Sequence, residues 1–219
     1  MGNHYPKSLY IKQLCGRPAR LRLAITKMSP RARIDPDAHL SRMTQIIESI
    51  VTEYRRYKAL AEGAMQQIAD ADLNRAGPGD GLSIATICWH VSGNLRSRFT
   101  DFLTTDGEKP WRQRDEEFES RAPSRTELMT KWEEGWSVLF ATLSELSDKD
   151  LDRTVTIRRQ QLLVHEALLR SLAHTSYHAG QIVYLAKSFR GADWKSLSIP
   201  VGQSQAYNQN PHLEIAPRR

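Results

Sequence analysis

The 219-residue chain is 40% hydrophobic and 26% charged, the composition of an ordinary globular protein with one substantial core. It contains no apolar run of about 18 residues, which excludes a membrane span, and its two cysteines, Cys15 and Cys88, are too few and too far apart for a disulfide framework. The formal charge is +6, yet residues 1–34 hold eight Lys or Arg and no Asp or Glu, so residues 35–219 carry −2.

Residues 1–34 read as a basic, disordered extension, or as sequence upstream of a start at Met28. They lack the repeated basic-aromatic pattern of a nucleic-acid-binding arm, so a nucleic-acid partner is not expected. No apolar stretch before a small-residue cleavage site marks a secretory signal, and a cytoplasmic location is expected. The remainder, residues 35–219, is expected to form the folded domain.

Asp35-Pro36 reads as an N-cap followed by proline at the first helical position. Met43, Ile46, Ile47, Ile50, Val51 and Tyr54 then recur at three- and four-residue spacing, one face of a first helix reaching about Ala69. A glycine-rich loop, Asn74 to Gly81, breaks it. A second helix runs from Ser83 to about Leu103 with Ile84, Ile87, Val91 and Leu95 inward, and His90 lies beside that stripe. The polar stretch Thr104–Pro123 is too long for a tight helix hairpin and reads as a crossover. Within it, Asp115, Glu116 and Glu117 read as a solvated charge run rather than as a source of a general base.

Ser124 and Glu127 form a capping box that starts a third helix, lined by Leu128, Trp132, Trp136, Leu139, Leu143 and Leu146. The two tryptophans read as core. A short β-type piece is expected at Thr154–Ile157. The fourth helix spans about Leu163 to Arg190 and stops at Gly191. Its inward stripe is Ala167, Ser171, His174, His178, Gln181/Ile182 and Leu185, and an irregular tail follows. These elements predict an all-α fold, a four-helix bundle with a long crossover between helices two and three.

His174 and His178 carry the most chemistry. Four residues apart on a helix, their rings lie about 6 Å apart along the axis and about 40° apart around it, close enough to share one metal ion. His90, on another helix, makes a third candidate ligand if helices two and four are neighbours. The competing reading keeps all three as core histidines. Gly93 beside His90, and Ala179-Gly180 beside His178, suggest close backbone approach, since each glycine costs roughly 1 kcal/mol of helix propensity relative to alanine. His165 falls near the opposite side of its helix, and Cys88 reads as a core cysteine. No glycine-rich phosphate loop, Gly-x-Ser-x-Gly elbow or His-Glu-x-x-His motif is present.

Four segments, Trp89–Leu103, Asp106–Phe118, Leu172–Ile182 and Ser196–Pro200, together resemble the DinB-like superfamily over roughly residues 38–210, and more narrowly an uncharacterised bacterial subfamily of it. The resemblance implies a four-helix bundle, often a homodimer. It also implies a divalent metal (zinc, nickel or manganese) held by His90, His174 and His178. Characterised relatives include transferases and isomerases that use low-molecular-weight thiols such as mycothiol, bacillithiol or glutathione. A thiol-dependent transferase or a hydrolase acting on a small molecule is therefore expected. Asn94, Arg98, Arg112 and Arg114 are candidates to orient a carboxylate-bearing thiol, against a plain salt-bridge role. The alternative is a non-catalytic metal- or ligand-binding stress-response protein.

Overall fold

The computed structural model describes residues 46–79 and 81–211. The basic segment 1–34, the helix start at Asp35-Pro36 and Met43 lie outside the described residues.

Helix α1 (Ile46–Met65) buries Ile47, Ile50, Tyr54 and Ala61 along one face. Ile46, expected on that face, is half exposed because it sits at the helix start, where the Asp148 carboxylate accepts from the Ile46 and Ile47 amides at 3.0 Å each. A single turn, α2 (Asp70–Leu73), follows where α1 had been expected to end. Helix α3 (Ile84–Phe99) begins as the sequence indicates, with the Ser83 hydroxyl accepting from the Thr86 amide at 3.1 Å. It buries Ile84, Ile87, Val91 and Leu95. It ends before Leu103, because Thr100 turns extended and Asp101 adopts a left-handed φ of 49°.

The crossover contains a 3₁₀ turn at Asp115–Phe118. Helix α4 (Arg125–Glu145) starts with the expected capping box and buries Leu128, Trp132, Trp136, Leu139 and Leu143. The expected β piece is present as β1 (Thr154–Ile157), and it has an antiparallel partner, β2 (Gln160–Leu163), with Thr154 opposite Leu163 and Ile157 opposite Gln160. This small hairpin is the departure from an all-α fold; β2 leaves no signal in the sequence because its Gln-Gln start carries no apolar alternation. Helix α5 (Val164–Arg190) runs 27 residues and stops at Gly191, whose φ of 61° suits a residue without a Cβ. The tail, expected to be irregular, holds a short helix α6 (Ser204–Gln209).

The fold is thus mostly helical, and its most extensive helix contacts are α3 against α4 and α1 against α5. The two pairs also meet, α3 touching α5 and α1 touching α4. Polar ties reinforce the second seam: Lys58 of α1 bonds both Glu62 and Glu133 at 2.5 Å, and the Trp132 indole donates to Glu62 at 3.0 Å. Cys88 and both tryptophans are core residues as read; the Cys88 thiol lies 3.6 Å from the Met65 sulfur. Among the described residues no helix is long and apolar enough to cross a membrane.

Candidate metal centre

Helix α5 places His174 and His178 one turn apart on its inward side, and the α3–α5 contact brings His90 against them. The Nε2 atom of His174 lies 3.2 Å from that of His90 and 3.1 Å from that of His178. All three ligand atoms fall within 4.8 Å of one another. Nitrogens bound at about 2.0–2.1 Å to one ion lie about 2.9–3.4 Å apart for angles between square and tetrahedral, and both separations fall in that range.

Hydrogen bonding on the far side of each ring fixes the tautomers. Glu117 can only accept, so His90 donates through Nδ1 to its Oε2 at 2.8 Å and presents a bare lone pair at Nε2. His178 donates through Nδ1 to the Gln181 side-chain oxygen at 2.7 Å, and the Gln181 amide nitrogen donates to the Tyr177 hydroxyl at 3.1 Å. His178 Nε2 is then a lone pair too. Only His174 can place a proton between the rings, and one proton cannot satisfy two facing lone pairs. A cation satisfies all three, so this donor set fits a divalent metal.

Electrostatics point the same way. Burial, followed by the neighbouring His178 and His90, lowers the His174 pKa from 6.5 to about 4. Burial also lowers that of His178, against the opposing effect of the hydrogen bond it donates to Gln181. Neutral imidazoles are ligands at physiological pH without first having to lose a proton. Burial alone pushes the Glu117 carboxyl up, but the bonds from His90 and Arg112 and the Arg112 charge bring it below its ordinary value. It therefore stays an anion behind His90, the carboxylate–histidine arrangement that orients metal ligands.

Glu117 corrects the reading of residues 115–117 as a solvated charge run: Asp115 and Glu116 are exposed, whereas Glu117 is buried and bonded. Gly93 explains how it fits. One helical turn from His90, it leaves the space the Glu117 carboxylate occupies, and a Cβ there would overlap that carboxylate. A glycine three residues after a candidate ligand was the available signal, although periodicity could not say which loop residue fills the gap. Gly180 has no such role; nothing lies within 4 Å of where its Cβ would be. His165, set aside from the sequence, bonds the Leu151 carbonyl through Nδ1 at 3.0 Å.

A cavity of about 320 Å³ opens beside His90 and His174, and Asn94, Arg98, Arg112 and Arg114 all line it. Arg112 holds Glu117 with two bonds of 2.8 and 2.9 Å, so it supports the carboxylate behind His90. Arg98 bonds the Gly107 carbonyl and reaches Glu108 at 3.1 Å through both terminal nitrogens. Arg114 is half exposed, 3.5 Å from Asp115, and lies over the Phe118 ring, which itself packs on His90.

Fold and site together define a mostly helical protein in which three histidines from two helices converge beside an arginine-lined cavity. The chain belongs to a family of proteins of unknown function, DUF1572, whose family model matches residues 41–203. Neither the curated proteins nor the solved structures give a match.

Proposed function

We propose that the protein is a metal-dependent enzyme of the DinB-like type, a four-helix bundle whose His90, His174 and His178 hold one divalent metal and act on a small molecule. Thiol-dependent group transfer is the favoured reaction and hydrolysis the runner-up. The observation that carries this reading is the convergence of three Nε2 atoms whose opposite nitrogens on His90 and His178 are already committed to Glu117 and Gln181.

A divalent metal held by these three neutral ligands would keep its full charge and would supply Lewis acidity that favours ionisation of a thiol or water. The chain's own residues do the rest. Glu117 and Gln181 hold His90 and His178 in one tautomer and ring orientation. Arg112 keeps Glu117 charged, and Phe118 shields one side of the His90 ring from water. Asn94, Arg98 and Arg114 face the cavity, where they orient the carboxylate of a thiol.

Mass spectrometry of metal content on tag-free protein tests the reading. Wild type is expected to carry about one equivalent of zinc, nickel or manganese, and His174→Ala to lose it. Glu117→Gln, which keeps the shape but not the charge, is expected to weaken metal affinity about 10- to 100-fold. An empty wild type that also refuses all three added metals overturns the proposal. A loaded protein without thiol- or water-dependent turnover across a broad electrophile panel leaves a non-catalytic binding protein.

A further inference from the structure

Two more arginines line the cavity that no sequence pattern singles out: Arg158, from the turn between β1 and β2, and Arg170, from α5. With Arg98, Arg112 and Arg114 they make five guanidiniums around about 320 Å³, the small end of ligand-pocket size. Two carboxylates offset them in part. Glu108 pairs with Arg98 at 3.1 Å and with Arg158 at 2.8 Å, and Glu117 pairs with Arg112 at 2.8 Å. Arg114 reaches only the fully exposed Asp115, and Arg170 has no ion pair among the described residues. Set against Glu108, Glu117 and Asp115, the five guanidiniums leave two positive charges over before any metal is added. Arg112 is also almost wholly buried, yet its Nη1 has no hydrogen-bond partner.

The backbone under Arg158 is strained in a way that serves the cavity. A two-residue hairpin turn of left-handed residues ordinarily uses Asn-Gly or Asp-Gly, but here Arg158 and Arg159 take φ of 52° and 63°. Asp106 of the crossover holds them there, its carboxylate accepting from the Arg158 and Arg159 amides at 2.8 Å each and from the Glu108 amide at 2.7 Å. The Gly107 amide adds a bond to the Thr156 carbonyl at 2.7 Å. Strain that surrounding structure enforces, at a position that delivers a charge to a cavity, is characteristic of a ligand-binding element.

We infer that this cavity is an oxyanion subsite, in which Arg158 and Arg170 join Arg98 and Arg114 to recognise a carboxylate or phosphate group on the small molecule whose other end reaches the histidines. The inference rests on the metal-centre reading only for that other end; the arginines bind the anion whether or not metal is present.

Calorimetric titration of the full chain with succinate and, separately, inorganic phosphate tests it, in chelator-treated and zinc-loaded forms. Saturable binding of at least one probe is expected in both forms, weakening as salt rises. The tighter probe assigns the head group as carboxylate or phosphate. Arg158→Gln and Arg170→Gln, both at exposed positions, are each expected to weaken binding about tenfold or more while leaving circular dichroism and zinc content unchanged. Arg159→Gly removes left-handed strain but keeps Arg158, so it is expected to raise Tm and retain binding. Wild type that binds neither probe, or binding unchanged in both glutamine variants, overturns the proposal. Anion binding without metal binding overturns the metal-centre reading instead.

Discussion

Proton bookkeeping on the clustered imidazoles governs how His174 and His178 respond to acid. In the metal-free protein His174 resists protonation until about pH 4, whereas in the unfolded chain it takes its proton near 6.5, because burial and two neighbouring rings disfavour the charged form. Above 6.5 the ring is neutral in both states and pH has no leverage. Between 6.5 and 4 the unfolded chain holds a proton that the folded one refuses, so stability falls as pH drops through that window. Chelator-treated wild type should therefore lose Tm steadily from pH 6.5 to 4, and His174→Asn should flatten that part of the curve. An equal slope in the two proteins would contradict the assignment. At this scale the sequence is informative where contacts are local: His174 and His178 are one helical turn apart, so their proximity follows from helix geometry alone. Glu117 meets His90 across 27 residues of chain and a loop, and no periodicity encodes such a contact.

The helices follow the same logic. Their apolar stripes and caps were legible because both are short-range: Ser83 before α3, Ser124 and Glu127 at α4, and Gly191 after α5 all do what their residue types favour. The polar β2 strand and the turn at Arg158-Arg159 were not legible, since Asp106, far away in sequence, holds that turn. Pairing between helices has its own marker. Where α4 crosses α3, a Cβ on Gly135 would lie 2.6 Å from the Ser92 Cα and 3.0 Å from its carbonyl oxygen, so the backbones nearly touch. Alanine ordinarily gains about 1 kcal/mol over glycine inside a helix. Here overpacking against rigid backbone should outweigh that gain, and Gly135→Ala is expected to destabilise by about 1–3 kcal/mol in urea unfolding. A stabilised variant would mean that the two helices part easily.

Across the whole molecule, the strongest packing lies within two helix pairs, α3 with α4 and α1 with α5, and the histidines straddle the line between the pairs. Core burial accounts for each pair, and periodicity predicts the buried faces but not which helices pair; the meeting of the pairs is where the candidate chemistry sits, and only the resemblance over four segments anticipated it. Chelation is expected to lower Tm, by roughly 5–10 °C if the ion is present at about 100 times its Kd. Hydrogen exchange should rise along the facing sides of α3 and α5 before it rises between α3 and α4; a uniform rise would argue against a bridging ion. His90 and His174 are 84 residues apart, and that interval contains the crossover, all of α4 and the hairpin. An ion held as proposed would therefore work as a removable cross-link closing a long loop. Fraying that starts in α4 would leave the loop closed and the chain able to refold around it, whereas parting α3 from α5 would surrender ion and fold together, so on warming the loaded protein, metal release and loss of the α3–α5 contact should come as one event.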